Sequence, residues 1–395
     1  MKTLLSQRAL QLKPSATLAI SAKEKELKGQ GIDVIGFGAG EPDFPTPAHI
    51  REAAKQSIDR GETFYTPVGG TPQLKKAIAF RMEQDYGLKY DSSELLVSCG
   101  AKHSLYNIFQ AILDPGDEVL VFAPYWVSYP EMIALSGGVP MVVETSETDS
   151  FVPDIKAVRA LVTPRTKAMI INSPSNPSGA LYPFSTLIEL AQLAVERDLL
   201  VISDEIYDKL LYDGLKFTPF PSLEGMKDRC ILVNGVSKTY AMTGFRIGYM
   251  ACTNKAIVKA ATDLQSQSTS NPSNPAQAAA TEALQGPQEE VAVMRRIFEK
   301  RRDLMVSLIN DTEGISVVKP SGAFYAFVNV SALFGKNGIG DSHDVATYLL
   351  ERHHVACVPG GAFGSSNHIR LSFATSENNI VEGMKRIKKA CLELL

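Results

Sequence analysis

Residues 237–246 contain the side chains with the clearest chemical use in this 395-residue chain. Lys238 comes shortly after the apolar run 231–233, and Arg246 lies eight residues further on in a Gly-rich setting. A lysine amine can form a Schiff base with a carbonyl cofactor, and an arginine beside hydroxyl donors can hold a phosphate group. The pattern therefore predicts a cofactor-binding lysine, whereas a lysine taken alone is more often an ordinary surface residue.

Four further candidate side chains also come shortly after strand-like apolar runs. They are Lys102 after 95–98, Trp126 after 118–122, Asn176 after 168–172 and Asp204 after 199–203. Continuous apolar runs separated by helical patterns predict an α/β fold with a mostly parallel sheet that is buried on both faces. Ligands bind at the carboxyl ends of the strands in such sheets, so we expect these four side chains and Lys238 to converge.

A carboxylate and a phenol follow the run 199–203. Asp204 can pair with a protonated ring nitrogen, and Tyr207 can donate a hydrogen bond to a phenolate oxygen. If the chain turns helical here, the two side chains lie on one face of the helix. Asp204 taken alone is better explained as a helix N-cap, which is a common use of aspartate in this context.

Three other candidates each have a structural alternative. Asn176, in the turn-rich stretch 172–179, is either a rigid hydrogen-bond donor or part of a surface loop. Trp126 either stacks on a flat ring or packs in the core or an interface. Arg370 lies inside the apolar run 369–373 and therefore needs a carboxylate partner, either structural or part of a substrate.

Two glycine-containing turns are candidate ligand-binding loops. Residues 36–40 look like a nucleotide loop, but the prolines at 42, 45 and 47 prevent a helix from starting promptly, which excludes a dinucleotide site. A close approach of a ligand to the backbone and a plain turn remain as alternatives there. Residues 100–104 join a strand to a helix, whose free N–H groups form either an anion site or an ordinary turn.

Composition excludes several classes of protein. A formal net charge of −3 provides no basic field for nucleic acid, and no apolar run approaches the roughly 18 residues of a membrane span. The six histidines show no metal-ligand spacing, so we expect no metal. The five cysteines are scattered and odd in number, which predicts reduced thiols in a cytoplasmic protein.

The order of elements predicts two domains. A helical pattern over 287–310 leads to a segment at 311–395 that reads as α+β. We expect an N-terminal arm with part of a small domain at 1–45, a large cofactor-binding domain at 46–290 and a small C-terminal domain at 291–395.

Taken together and in this order, the motifs resemble the class I aminotransferases among the fold-type I pyridoxal-phosphate (PLP) enzymes, and within them the bacterial 1β aspartate aminotransferases, a subgroup that includes aspartate/prephenate aminotransferases. The matching stretches span nearly the whole chain: KPSAT (13–17), AGEPDF (39–44), YTP (65–67), GAK (100–102), PYWVSYPEM (124–132), NSPSNPSG (172–179), SDEIY (203–207), SKTYAMTGFRIGY (237–249), SGAFY (321–325), VPGGAFG (358–364) and IRLSFATS (369–376). The resemblance implies a large domain with a mostly parallel seven-stranded sheet flanked by helices, and a smaller α+β domain.

The resemblance also implies roles around the cofactor ring. Lys238 would form the Schiff base and move the proton between substrate Cα and cofactor, and Asp204 would pair with the ring nitrogen. Tyr207 and Asn176 would hydrogen-bond the 3-oxygen of the ring, and Trp126 would stack on it.

The phosphate and the substrate have their own implied residues. Those implied for the phosphate are Gly100, Ala101, Lys102, Ser237 and Arg246, joined by Tyr65 from a second subunit, so that a homodimer is expected. Arg370 would clamp the α-carboxylate of the substrate with Asn176 and the Gly40 backbone. Many relatives carry a serine where this chain has Gly235, with Ser237 as a substitute donor, and Phe245 stands where close relatives often have tryptophan.

The expected reaction is ping-pong transfer of the amino group of L-aspartate to 2-oxoglutarate, with prephenate as a further candidate substrate. Lys13 and Lys102 are the candidates for the distal carboxylate. Alternatives that keep the PLP site are an aminotransferase for aromatic or neutral amino acids and a β-lyase. A catalytically silent scaffold would be expected to lack Lys238, and a PLP-binding regulator would be expected to carry a DNA-binding module before the motifs that begin at Lys13.

Overall fold

The computed structural model describes residues 4–12, 14 and 16–395. Helices and strands alternate through most of the chain. The helices are α1 (Gln7–Gln11), α2 (Ala16–Gly29), α3 (Ala48–Asp59), α4 (Pro72–Tyr86), α5 (Ala101–Ile112), α6 (Ser128–Leu135), α7 (Ile155–Leu161), α8 (Phe184–Glu196), α9 (Lys255–Ser268), α10 (Asn274–Gln285), α11 (Glu289–Asn310), α12 (Ser342–His353) and α13 (Glu377–Leu394).

The strands form three sheets. They are β1 (Ile35–Gly36), β2 (Leu95–Ser98), β3 (Glu118–Phe122), β4 (Val139–Val143), β5 (Thr166–Asn172), β6 (Leu200–Asp204), β7 (Cys230–Gly235), β8 (Gly248–Ala251), β9 (Ser316–Val317), β10 (Tyr325–Asn329), β11 (Val355–Ala356), β12 (Val358–Pro359) and β13 (His368–Ser372). The central sheet has seven strands in the order β2-β8-β7-β6-β5-β3-β4, and only β8 runs against its neighbours. The prediction of a mostly parallel seven-stranded sheet is confirmed.

Helices cover both faces of the central sheet, which explains why its strands are apolar without alternation. Leu96, Ile202 and Val233 pack on the face covered by α5, α6 and α9. Val201, next to Ile202 in sequence, packs on the opposite face against α8. Successive side chains of a strand point to opposite faces, so each strand end can serve two separate surfaces.

A second core lies around the antiparallel sheet β12-β13-β10-β9. Helices α11, α12 and α13 pack against it through side chains such as Phe298, Leu349 and Ile387. The two-stranded parallel sheet β1–β11 joins the N-terminal segment to this core. Its position brings the loop after β1, with Gly38 and Gly40, towards the central sheet.

Local sequence explains the ends of several elements. Thr71 caps α4 by accepting a hydrogen bond from Leu74 N, Pro72 occupies the first turn, and Gly87 ends the helix at a φ of 68°. The expected boundaries of most strands differ from the observed ones by one or two residues. In the described parts of the chain, no helix has the length and apolar character that a membrane span requires.

Candidate active site

The carboxyl ends of β5, β6 and β7 lie side by side and position the centre of the site. Asn172 pairs with Asp204 across β5 and β6, and Asp204 pairs with Val233 across β6 and β7. β7 ends at Gly235, so the loop that follows delivers Lys238 to this edge of the sheet. The structure therefore brings Lys238 and Asp204 together, as the apolar runs indicate.

Lys238 is a partly buried amine with few partners. Its Nζ donates a hydrogen bond to the Gly40 carbonyl at 2.5 Å. Burial lowers the pKa of Lys238 from 10.5 to about 8; Glu41 opposes this shift, and the positive charges of Arg370 and Arg246 add to it. About a tenth of the amine is therefore neutral at pH 7 and about half at pH 8, and the neutral form is the one that acts as a nucleophile and proton acceptor.

Asp204 is a buried carboxylate held from two sides. Its Oδ2 accepts a hydrogen bond from Tyr129 Oη at 2.6 Å, and its Oδ1 accepts one from Ile206 N at 3.4 Å. Burial raises the pKa of Asp204 to about 6, against the Tyr129 hydrogen bond, the Ile206 backbone and the charge of Lys238. Asp204 is thus largely ionised at neutral pH and can stabilise a cation placed beside it.

The helical alternative for residues 204–207 is wrong. β6 runs through Asp204, and Ile206, Tyr207 and Asp208 form a turn in place of a helix. Asp204 is therefore the last residue of a strand and not an N-cap. Its pairing with Asn172 and Val233 extends the ladder by one residue beyond the run 199–203, which explains the difference.

Arg370 is a buried cation with donors to spare. It is 1 % exposed, its Nη1 donates to Asn176 Oδ1 at 3.0 Å and its Nη2 donates to the Gly38 carbonyl at 2.9 Å. Its guanidinium lies 4.4 Å from the centre of the Tyr325 ring, and its Nε has no hydrogen-bond partner among the described residues. A guanidinium carries more N–H donors than these two contacts use, so Arg370 can bind an incoming carboxylate without losing its supports.

Asn176 and Tyr207 are held by neighbours that the sequence analysis does not single out. Asn172 Oδ1 accepts from Asn176 N at 2.9 Å, while Asn172 Nδ2 donates to the Asp204 carbonyl at 3.0 Å. The hydroxyls of Tyr207 and Tyr325 are 3.0 Å apart. Asn172, Tyr325 and the Tyr129 described above are thus three site residues that sequence reasoning missed. All three lie inside the matching motifs, which is the signal that points to them.

A cradle for an anion lies at the start of α5. Gly100 has a φ of 93° and precedes the first helical residue, Ala101. The Arg246 side chain closes over it, with Nη2 donating to the Cys99 carbonyl at 3.3 Å and Nη1 to the Thr243 carbonyl at 3.0 Å. A Cβ added at Gly100 would overlap the Arg246 guanidinium. Free backbone N–H groups, a helix N-terminus and an arginine together favour a phosphate.

The remaining predicted site residues fall into three groups. Lys102 and Trp126 lie together, with Lys102 Nζ 4.7 Å from the Trp126 ring centre, and Ser237 is buried just before Lys238. Tyr65 is 90 % exposed in the single chain and lies on its surface. Lys13 lies outside the described residues.

The side chains present fit pyridoxal 5′-phosphate. The α5 cradle suits its phosphate, the buried Asp204 suits a protonated pyridine nitrogen, and Lys238 suits its aldehyde. The free donor capacity of Arg370 suits the carboxylate of an amino acid. Fold and site together define a PLP-dependent enzyme that acts on amino and oxo acids.

Comparison with known proteins gives the same class. The sequence model of the family "Aminotransferase class I and II" matches residues 32–387, and the chain belongs to this PLP-dependent family. The predicted enzyme class and cofactor are confirmed.

Relatives match along the full length of the chain. Aspartate aminotransferase of Bacillus sp. (strain YM-2) is 48 % identical over 390 residues, covering 98 % of this chain and 99 % of the relative. Aspartate/prephenate aminotransferase of Thermus thermophilus is 45 % identical over 388 residues, covering 98 % of both chains. The structure is similar to that of Thermus thermophilus aspartate aminotransferase with maleate, with a TM-score of 0.92 at 45 % identity, covering 98 % of this chain and 100 % of that one. The aspartate aminotransferase from Rhizobium meliloti gives a TM-score of 0.94 at 42 % identity, with 98 % and 99 % covered.

Proposed function

We propose that this protein transfers the α-amino group of L-aspartate to 2-oxoglutarate, giving oxaloacetate and L-glutamate in a ping-pong reaction. The observation that carries the proposal is the buried Arg370, which keeps unused donor capacity and shares the site with the neutralisable Lys238. The names of the full-length relatives support aspartate as the amino donor.

Arg370 binds the α-carboxylate of the substrate. Its planar fork gives two parallel hydrogen bonds to a carboxylate, and its contacts to Asn176 and Gly38 hold the fork in place. The Gly40 backbone, which Lys238 already contacts, borders the same space. Substrate is thereby oriented with its Cα near Lys238, and such positioning reduces the entropic barrier to reaction.

PLP, when bound, supplies the carbonyl group that takes up the amino group and the electron-withdrawing ring that makes the Cα proton acidic. Lys238 then removes the proton from Cα and later returns one, because its lowered pKa of about 8 suits both directions near neutral pH. Asp204, largely ionised at neutral pH, would hold a proton on the pyridine nitrogen of the bound cofactor by charge pairing. Tyr129 keeps Asp204 ionised and correctly oriented.

The other site residues position the cofactor. Trp126 would stack on the ring of bound PLP, and Tyr207 and Asn176 would donate hydrogen bonds to its 3-oxygen. Its phosphate would be held by Gly100, Ala101, Lys102, Ser237 and Arg246.

We further propose a homodimer in which Tyr65 completes the phosphate site of the partner subunit. A tyrosine that is 90 % exposed in the single chain supports this role, since such an aromatic is typical of an interface. We place the domain boundaries at 1–45, 46–290 and 291–395. The five free cysteines support a reducing compartment such as the cytoplasm.

The distal carboxylate of the substrate is assigned to a lysine. Lys102 is supported by its position beside Trp126, and burial, with the charge of Arg246 second, lowers the pKa of Lys102. A carboxylate brought next to it would restore its charged form and gain an ion pair. Lys13 is the second candidate, on motif match alone.

Prephenate is proposed as a second substrate because full-length relatives at 45–47 % identity carry the name aspartate/prephenate aminotransferase. The test is to compare L-aspartate, L-phenylalanine, L-alanine and cystathionine as donors to 2-oxoglutarate, and prephenate as an acceptor, on one preparation. Aspartate is expected to give the highest kcat/KM. If no dicarboxylate is turned over, the proposed substrate is contradicted. Turnover of prephenate would distinguish an aspartate/prephenate aminotransferase from an aminotransferase that does not use prephenate.

A further inference from the structure

Tyr325 on β10 contacts one residue implied for the cofactor ring and one proposed for the substrate carboxylate. Its hydroxyl lies 3.0 Å from that of Tyr207, and the Arg370 guanidinium lies 4.4 Å from the centre of its ring. The strand register explains the second contact. Phe327 on β10 lies opposite Arg370 on β13, so Tyr325 is the diagonal neighbour of Arg370 on the same face of the sheet. Tyr325 is 1 % exposed, so packing on all sides fixes both contacts.

The Tyr325 hydroxyl also lies beside the loop that contacts Lys238. A Cβ added at Gly40 would be 3.5 Å from Tyr325 Oη. The carbonyl of the same glycine accepts the hydrogen bond from Lys238 Nζ. Tyr325 is therefore adjacent to the backbone that supports the cofactor-binding lysine, as well as to Tyr207 and Arg370.

Both phenols keep their protons at neutral pH. Burial raises the pKa of Tyr207 and of Tyr325 above the usual value of a tyrosine, and the charge of Arg370 opposes the shift in both cases. A negative charge adds to the shift at each hydroxyl, from Asp204 for the first and from Glu41 for the second. Each hydroxyl therefore has one proton to donate.

The two hydroxyls share a single hydrogen bond, and either oxygen can be its donor. Neither hydroxyl has a second hydrogen-bond partner among the residues that the structure describes. One of the two protons therefore needs an acceptor that the described chain does not supply. A buried donor without an acceptor is costly, so a bound group that offers an acceptor also decides the direction of the hydrogen bond.

Only one direction uses both protons when PLP is bound. If Tyr207 donates to Tyr325, its proton is not available to the 3-oxygen of the ring, and the Tyr325 proton has no acceptor. If Tyr325 donates to Tyr207, the Tyr207 proton is free for the 3-oxygen and both protons have acceptors. The second direction is therefore favoured in the holoenzyme.

We propose that Tyr325 is a positioning residue for Tyr207, to which it donates a hydrogen bond that directs the Tyr207 proton to the 3-oxygen of PLP. The proposal rests on the role of Tyr207 that is part of the proposed function. A hydroxyl that accepts a hydrogen bond is a stronger donor, by about 10–30 %. A 3-oxygen that is better stabilised in this way attracts the neighbouring Schiff-base proton less, so Tyr325 lowers the pKa of the Schiff base between Lys238 and PLP.

Tyr325→Phe removes the hydroxyl and keeps the ring beside Arg370. The measurement is a pH titration of the visible Schiff-base band of holoenzyme in the absence of substrate. Tyr207→Phe is the reference, and loss of its hydrogen bond to the 3-oxygen should raise the pKa of the band by roughly 1–2 units. Tyr325→Phe should raise it by roughly 0.1–0.6 unit. It should add no further shift in the Tyr207→Phe background, because Tyr325 acts through Tyr207.

Tyr212→Phe is the matched control for a structural disturbance. Tyr212 is fully buried, and its hydroxyl donates to the Ala323 carbonyl, two residues before Tyr325. This variant therefore loses a buried hydrogen bond at the start of the same strand without touching the proposed site. Its Schiff-base band should titrate as in the wild type, and so should the KM of Tyr325→Phe for L-aspartate remain at the wild-type value, because the ring beside Arg370 is retained.

Three results would overturn the proposal. A lower pKa of the band in Tyr325→Phe would mean that Tyr207 donates to Tyr325 in the holoenzyme. An unchanged pKa would mean that the Tyr325 hydroxyl does not act on Tyr207, and a raised KM with it would assign that hydroxyl to the substrate. An equal shift in the Tyr212→Phe control would show a structural effect alone. Because the titration contains no substrate, failure of the aspartate assignment would leave its result unchanged.

Discussion

Replacement of Arg370 by lysine separates positive charge from the geometry of carboxylate recognition. Lysine keeps a cation at this position on β13 but has no planar fork. It also cannot reproduce both anchoring contacts, to Asn176 Oδ1 at 3.0 Å and to the Gly38 carbonyl at 2.9 Å. We therefore expect weaker substrate binding and an intact cofactor site.

The size of the effect follows from the contacts. Loss of one charged hydrogen bond to the substrate carboxylate costs about 1.5–3 kcal/mol, which is a decrease of roughly tenfold to 150-fold in kcat/KM. Arg370→Gln removes the charge as well and leaves the carboxylate unpaired in a buried site, at about 2–5 kcal/mol or a factor of roughly 30 to 5,000. All amino donors should be affected alike, because the α-carboxylate is common to them.

The assay is steady-state kinetics with L-aspartate and 2-oxoglutarate, together with the visible spectrum of each variant. Arg386→Lys is the matched control, since Arg386 lies in the same part of the chain and pairs with Glu382 and Asp33 away from the site. The control should retain wild-type kcat/KM, and the Arg370 variants should retain the wild-type spectrum. Full kcat/KM in Arg370→Lys would refute the reasoning, as would loss of the cofactor spectrum.

Three further predictions concern Asp204, the cradle at the start of α5 and the buried Glu205. Tyr129→Phe removes the hydrogen bond that lowers the pKa of Asp204, so the acid limb of the pH profile of kcat/KM should move to higher pH while the alkaline limb stays; superimposable profiles would argue against this role. Gly100→Ala places a Cβ on the Arg246 guanidinium at a φ of 93°, and should weaken PLP binding by roughly tenfold or more in a titration of apoenzyme. Gly87→Ala, also at a positive φ but with open space around its Cβ, should lower stability alone and leave PLP affinity unchanged; equal PLP affinity in both variants would contradict the cradle. Burial raises the pKa of Glu205 from 4.5 to about 8, so its stabilising contribution is complete below about pH 4.5 and is lost as pH rises through 8. Relative to Glu205→Gln, the wild type should therefore lose on the order of 1 kcal/mol of unfolding free energy per pH unit in between; parallel curves in urea titrations would show that Glu205 is not protonated in the folded protein.

The strands and the general position of the site could be predicted from the sequence. Five apolar runs correspond to strands β2, β3, β5, β6 and β7. Strands that are buried on both faces of a sheet are continuously apolar, so they can be located from the sequence. The candidate residues that follow these runs meet at one edge of the sheet, since parallel strands end together. This is why Lys238, Asp204 and Asn176 could be named without coordinates.

The partners of these residues could not be predicted in the same way. The hydrogen bond from Tyr129 to Asp204 joins residues 75 positions apart, and that from Arg370 to Asn176 joins residues 194 apart. Such contacts depend on helix packing and on the docking of two sheets, which local patterns do not contain. The helical reading of 204–207 failed for a related reason, because pairing with both neighbouring strands extends β6.

The most direct test of the account is a half-reaction with L-aspartate alone. Holoenzyme mixed with L-aspartate, in the absence of 2-oxoglutarate, should lose the visible absorption band of its carbonyl form. It should release about one oxaloacetate per chain, because the cofactor retains the amino group. Lys238→Ala should lack the Schiff-base band and release no oxaloacetate on this timescale. An unchanged band in Lys238→Ala, or wild-type enzyme that forms no oxaloacetate, would contradict the assignment of Lys238 as the residue that binds the cofactor and moves the proton.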